Sequence, residues 1–430
     1  MSTLSSLLDW LISTPHRVGL DVETTGLDCR FARIRLVQFG MLNGEAYVVD
    51  CFALPNFLPL LAEKLKQYRP STSDKHPEGS AATFAFHNGS FDIKFLWATG
   101  ADVSFYAIAD SLIGSKVYKC GLPVPKGYHK LDAVAQRWIN EDFSKELQVS
   151  DWGAKELSEE QIKYAAVDPV ATARTSLAIE EKLKQMDLWN TYQLECHALL
   201  PTAVMEYNGV LCDIERLNAM RPHYENIIKT SEYKFQEHLP LYTRRDLGKN
   251  LVYSGLNMGS STQVLRALTY CGVPEPEDML EDMNENEDEI VGVRSTGSKH
   301  LSLLDLDDYP VLEPLMEFRA ANKLITSYFN SLPGLVNPIT GRIHPSYNQM
   351  VSTGRYSCSS PNLQQVPRPG KDKSVAIRHA FKAPDDYHIV QADYSQIELR
   401  VMALVANDKE MIQEFKDGKD PYAATAALMC

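Results

Sequence analysis

No stretch of this 430-residue sequence stays apolar for the roughly 20 residues that a membrane-spanning helix requires, so no membrane role is expected. The opening residues, MSTLSSLLDWLISTPHR, lack positive charge ahead of their short apolar run and read as an amphipathic helix, not a signal peptide. The eight cysteines (Cys29, Cys51, Cys120, Cys196, Cys212, Cys271, Cys358 and Cys430) include no Cys-x-x-Cys pair and no zinc-finger spacing. That excludes the common structural zinc motifs and points to a reducing, cytoplasmic compartment. No internal repeat is present. Nor is there an excess of base: 43 Lys and Arg against 56 Asp and Glu leave a formal charge of −13. Taken alone, this balance argues against a nucleic-acid partner. Nine of the acids, however, crowd into the fifteen residues from Glu275 to Glu289. Such a run has little to bury and reads as a solvated loop, leaving the bases elsewhere free to gather on one face.

What is present is enough chain for two to four domains. Strands are expected at 17–23, 34–39, 46–50 and 83–86, and helices at 57–68, 130–140 and 158–185, with Ser90 capping a further helix after the fourth strand. This is an α/β domain ending near residue 185. From 190 to 235 the pattern is helical. Segment 236–260 is irregular, and helices return at 260–269 and 311–330. Residues 389–392 read as a strand, followed by helices at 395–406 and 408–416.

Three groups of residues carry chemistry. Asp21 and Glu23 stand two apart on an apolar strand, so both point to one face. Two acids there repel each other and are tolerated where hard divalent cations sit between them. The bland alternative is a solvated strand end. Asp92, in Asn88-Gly-Ser-Phe-Asp92, occupies the first turn of a helix, where an acid also suits the helix dipole. Tyr164 and Asp168, four apart, stack on one helix face.

In this order the three groups resemble the motifs of the DEDD superfamily of 3′–5′ exonucleases, in its tyrosine-bearing branch. The resemblance implies that Asp21, Glu23, Asp92 and Asp168 hold two divalent metal ions, Mg²⁺ or Mn²⁺ as substitute. Tyr164 would orient the attacking water, Leu27 would wedge against the terminal base, and Asn88 would lie beside a frayed single-stranded 3′ end. The terminal phosphodiester would be hydrolysed, releasing a nucleoside monophosphate.

The second constellation is Gln391-Ala-Asp393-Tyr394-Ser395-Gln396-Ile397-Glu398-Leu399-Arg400. Read blandly, it is a capped strand-to-helix junction. It resembles motif A of family A (DNA polymerase I-like) DNA polymerases. Thr353-Gly-Arg355, Ser360-Pro-Asn362-Leu-Gln364 and Ile377-Arg-His-Ala-Phe381 resemble the family's palm segments. Glu195, Pro201, Met205, Glu206 and Gly209 resemble the helix where its polymerase domain starts. Leu256 to Gln263 resemble a thumb segment, and Arg319, Lys323, Leu324 and Tyr328 the helix leading back to the palm. The resemblance implies that Asp393 and the Tyr394 carbonyl ligate the polymerase metals and that Glu398 crowds the sugar 2′ position. Arg355 would reach the primer end, with Asn362 and Gln364 holding the duplex. Thumb bases such as Arg244, Arg245 and Lys249 would meet phosphates. Where the family often has histidine after Asp420-Pro, this chain has Tyr422, which donates one hydrogen bond and carries no charge.

The implied fold is α/β: a ribonuclease H-like exonuclease domain with a mixed β-sheet flanked by helices (1–187), then an incomplete right-hand polymerase domain. The latter divides into its start (188–212), a helical thumb (213–310), and a partial palm through motif A with the start of the fingers (311–430). The family's fingers helix and its second palm aspartate do not occur within these residues. A split polymerase completed by a second polypeptide is therefore expected over a truncated product, in the manner of phage replication systems and acting in host cytoplasm. The partners implied are primer–template DNA, dNTPs once the site is complemented, and other replisome proteins. Two other classes compete: a stand-alone 3′–5′ exonuclease with a DNA-binding platform, which would have no use for Asp393 and Arg355, and a non-enzymatic replication subunit, which would lack at least one exonuclease carboxylate.

Overall fold

The computed structural model describes residues 2–70, 81–141, 150–239, 256–273, 301, 304–368, 375–420 and 423. The chain separates into two compact units, residues 1–381 and 382–430. The acidic run, the bases Arg244, Arg245 and Lys249, and Tyr422 lie outside the described residues.

The first unit opens with helix α1 (Ser2–Ser13) and strands β1 (Arg17–Thr24), β2 (Ile34–Met41) and β3 (Ala46–Asp50), followed by α2 (Phe57–Gln67). Next come β4 (Thr83–Phe86), α3 (Ser90–Ala98), β5 (Ala107–Asp110), α4 (Ser111–Lys119), α5 (Leu131–Ile139) and the long α6 (Glu159–Gln185). The five strands form one sheet in the order β3-β2-β1-β4-β5. β1 pairs antiparallel with β2 and parallel with β4, so the sheet is mixed, as expected of the ribonuclease H-like arrangement. Every residue of β2 is buried, because helices cover both faces of the sheet. Arg35 is tolerated there because its guanidinium pairs with Asp50 at 3.0 Å, donates to the Ala154 carbonyl and lies over the Phe52 ring. β5 and α4 escape a reading from alternation: Ala-Ile-Ala-Asp is too short to show a period, yet Asp110 caps α4 by accepting from Ile113 N at 2.9 Å.

Two local expectations change. Gly89, not Ser90, stands at the cap position of α3, and the Ser90 hydroxyl turns away to Glu206. The helical stretch after residue 190 is two helices, α7 (Trp189–Asn208) and α8 (Ile214–Glu237), divided by Gly209 and a short strand, β6 (Val210–Cys212). Gly209 has φ +62°, which ends a helix at little cost only for glycine.

α6 runs across the sheet on the β1 face that carries Arg17, Gly19, Asp21 and Glu23. At one end Arg17 donates to both carboxylate oxygens of Glu180, at 2.9 and 2.7 Å, and to Ser176 Oγ at 2.9 Å. In the middle, Gly19 of β1 pairs across the strands with Gly40 of β2. A Cβ at Gly19 would lie 1.8 Å from the Pro169 carbonyl oxygen, and one at Gly40 would lie 2.2 Å from Val170 N. The two glycines thus form a notch into which the backbone of α6 settles. The residue before Pro169 is Asp168.

The core beneath this sheet also takes in Tyr192, Cys196, Leu199 and Ala203 of α7. A second cluster joins Phe235, Val264, Leu268, Leu312, Leu315 and Phe318, from α8, α9 (Ser261–Tyr270) and the helix Leu312–Leu324. A third gathers Cys212, Leu217, Tyr328, Phe329, Ile343 and Ile377.

In the unit 382–430, helices Ile397–Ala406 and Lys409–Lys416 form as expected. The strand expected at 389–392 does not. Those residues are extended with no ladder partner among the described residues, and Val390 is 87% exposed. A strand exists only when its backbone groups pair with another.

Candidate active site

Three elements bring the N-terminal acids together. β1 presents Asp21 and Glu23, half-buried, at its C-terminal end. α3 presents Asp92, 4% exposed, whose Oδ1 accepts from Val22 N at 3.1 Å. That bond ties the second motif to the strand of the first. α6, held in the glycine notch, presents Tyr164 and Asp168, both buried, with the Tyr164 hydroxyl donating to Asp168 Oδ2 at 3.2 Å. Leu36, Trp152 and Ala165 pack around Tyr164 and fix its ring.

The electrostatics register the convergence. The Asp92 carboxyl is pushed well above the usual carboxylate range, first by burial and then by the charge of Asp21. Tyr164 is raised by burial, then by Asp168, Glu23 and Asp21, so it stays a neutral phenol. Both charged neighbours that burden Asp92, namely Asp21 and Asp110, are acids.

The donor set is therefore one of hard oxygens with surplus negative charge, which suits Mg²⁺ or Mn²⁺ and not a soft metal. Among the described residues no three such side chains close onto a single point at ligand distance. Their mutual fields nonetheless place Asp21, Glu23, Asp92, Tyr164 and Asp168 in one neighbourhood.

Around this cluster, Leu27 stands 89% exposed in the loop between β1 and β2. The base of that loop is pinned by Thr24 Oγ1 to Gly26 O (2.7 Å) and Arg33 N to Thr25 Oγ1 (3.0 Å). Asn88 is exposed with φ +70°, a left-handed conformation that asparagine tolerates better than most residues.

Arg355, also exposed, sits in a turn closed by Val351 N to Arg355 O at 2.9 Å. Asn362 accepts from Gln364 N at 3.1 Å, and Gln364 Nε2 donates to the carbonyl of Tyr356 at 3.1 Å. Arg355, Asn362 and Gln364 thus share one short, cross-braced segment. In the second unit, Asp393 and Tyr394 are exposed in the extended stretch, and Glu398 lies in the first turn of helix Ile397–Ala406.

One acid beside the site escaped the sequence reading. Asp110 on β5 accepts from Gly89 N at 2.8 Å, is pushed up to about 6 by burial, and adds its field to Asp92. The Asp-Ser step ahead of an apolar helix was its available signal. Glu206 on α7 was singled out only as part of a resemblance. Its contacts join segments more than a hundred residues apart, which no local pattern discloses.

Comparison with known proteins agrees with this geometry. Residues 2–184 match the family model described as 3′–5′ exonuclease, and residues 244–430 match that of DNA polymerase family A. The chain is 30% identical over 434 aligned residues to DNA polymerase I of Pseudomonas aeruginosa, covering 97% of this chain and 44% of that protein. It is 34% identical over 252 residues to the thermostable DNA polymerase I of Thermus thermophilus, covering 58% of this chain and 27% of that one. The chain thus spans less than half the length of these curated relatives. In fold it is similar to the POL domain of Pol1 from M. smegmatis, solved with DNA primer-template and dNTP: TM-score 0.72 at 21% identity, covering 97% of this chain and 64% of that chain. With its ordered acids, its mixed sheet and two family models that together take in most of its length, the chain belongs to DNA polymerase family A and carries that family's 3′–5′ exonuclease domain ahead of polymerase-domain sequence.

Proposed function

We propose that this chain removes nucleotides one at a time from the 3′ end of DNA and contributes the exonuclease domain, thumb and first palm segments of a DNA-directed DNA polymerase. The reading rests on one observation: Tyr164 and Asp168 meet Asp21, Glu23 and Asp92 at a single acidic site built by three separate elements.

Asp21, Glu23, Asp92 and Asp168 would hold two divalent cations. When bound, these supply Lewis-acid activation of water and neutralise charge on the phosphate. The chain's own groups do the positioning. Tyr164, kept protonated, offers its hydroxyl to orient a water. Glu23, less buried than Asp92, would help hold that water. Leu27 would press on the terminal base, and Asn88 would flank the strand. A frayed end is favoured because fewer base pairs must open first. Leu27→Ala should change stability by less than about 0.5 kcal/mol, because the side chain is solvated. It should slow removal of a paired 3′ terminus more than of a single-stranded one. Equal slowing on both substrates in single-turnover assays would remove Leu27 from this role.

On the polymerase side, Asp393 and the Tyr394 carbonyl would be metal ligands, Glu398 the guard against ribonucleotides, and Arg355, Asn362 and Gln364 the contacts to primer–template DNA. Tyr422 would face the incoming dNTP. Nucleotidyl transfer also needs a fingers helix and a second palm acid, which are not among these 430 residues. A purified polypeptide of these 430 residues, given primed DNA, Mg²⁺ and dNTPs, is expected to shorten the primer and not to lengthen it. Primer extension by this polypeptide alone would refute the division of labour.

A further inference from the structure

The last turn of α7 gathers contacts that neither proposed reaction accounts for. The Glu206 carboxylate, 5% exposed, accepts from Ser90 Oγ at 2.8 Å and from Lys94 Nζ, both on α3. Its other oxygen accepts from Tyr347 N at 2.6 Å, in the strand Ser346–Asn348. That strand pairs with Ser357–Ser359, two residues beyond Arg355. The same helix end receives Arg30, whose Nη2 donates to the Tyr207 carbonyl at 2.6 Å and to the Glu206 carbonyl at 3.3 Å. Arg30 Nη1 also pairs with Asp28 at 3.0 Å, beside Leu27. Trp97 of α3 meets the Tyr207 ring edge-on at 5.8 Å.

On α3, Ser90 and Lys94 are four apart and share a face, whereas Asp92 lies two residues from each and points to the opposite side. Glu206 therefore grips α3 from behind while Asp92 faces β1. A buried carboxylate with three donors from two segments is rigid, because each donor removes a direction in which it could turn.

We propose that Glu206 is a positioning residue for the exonuclease site: it fixes the rotation and depth of α3, and so the reach of Asp92 toward a bound cation, and yokes that helix to the strand pair beside Arg355. The proposal rests on the reading of Asp92 as a metal ligand. Glu206 touches neither cation nor DNA.

The test is Mn²⁺ binding to the full 430-residue chain, followed by electron paramagnetic resonance without DNA, with exonuclease rates measured in parallel. Glu206→Ala is expected to weaken Mn²⁺ binding about tenfold, the scale of lost outer support around a metal site. Glu206→Gln keeps one acceptor oxygen and should lose less. Should the alanine variant not fold, Lys94→Met, which keeps the packing and removes one grip, should still weaken Mn²⁺ binding several-fold. All variants are compared well below their melting temperatures. Lowered melting temperatures with parental Mn²⁺ affinity in both Glu206→Gln and Lys94→Met would make Glu206 merely structural and overturn the proposal. Asp92→Asn separates the two levels. If it binds Mn²⁺ like the parent, the metal reading itself fails and the proposal falls with it. If it loses Mn²⁺ while the Glu206 and Lys94 variants do not, the positioning role alone fails.

Discussion

Replacing Asp21 and Glu23 together by alanine is expected to lower 3′–5′ exonuclease activity by at least about a thousandfold, roughly 4 kcal/mol of transition-state stabilisation. Both acids leave from one strand, and with them goes the half of the donor set that faces Tyr164 and Asp168. The fold should survive. Asp21 burdens the buried Asp92 with like charge, so its removal relieves repulsion and should hold the melting temperature level or raise it. A variant that melts like the parent yet no longer digests a labelled single strand would place the loss in chemistry. Undiminished digestion would show that these acids do not hold the cations, or that the cleavage comes from a contaminating nuclease.

Gly19→Ala is expected to be the most damaging single-methyl change in the exonuclease fold. Its new Cβ would stand 1.8 Å from a backbone oxygen of Pro169, and backbone cannot swing aside as a flexible side chain can. Either β1 or α6 must move by more than an ångström. We expect a loss of at least about 3 kcal/mol in urea unfolding, at the upper end of overpacking costs. The surviving folded fraction should cleave about a hundredfold more slowly, because Asp168 and Tyr164 ride on the displaced helix. Gly334→Ala is the control: its Cβ would meet nothing within 4 Å, and it should shift stability by less than about 0.5 kcal/mol. Parental stability and parental rate in Gly19→Ala would mean that the notch does not set the seat of α6.

The Glu206 and Gly19 tests probe different supports of one site. Gly19 governs how closely α6 approaches β1, and Glu206 how α3 is turned. Because the two act on different acids, their effects on Mn²⁺ affinity should add within a few tenths of a kcal/mol when combined.

Much of this was legible in the residues themselves. Alternation located β1, β3 and β4 within a residue of their ends, because a half-buried strand must alternate. A helix was expected from residue 158, and α6 begins there because Ser158 and Gln161 form a capping box. The acids of β1, α3 and α6 were legible from their order along the chain and its resemblance to the exonuclease motifs, since each alone also fits a solvated strand end or a helix dipole. The strand expected at 389–392 failed because apolar residues in sequence say nothing of whether a partner strand will be there to accept their hydrogen bonds.

The sequence alone determined where most helices and strands lie and which acids are available, since both follow from side-chain identity and spacing along the chain. Only the tertiary structure decided that Gly19 lies across from Gly40, that α6 drops into the gap between them, that Asp110 stands beside Asp92, and that Glu206 reaches α3 on one side and Tyr347 on the other. Those facts depend on strand register and on contacts between segments far apart in sequence. Neither is encoded in any short window, because each is a property of how whole faces fit against one another.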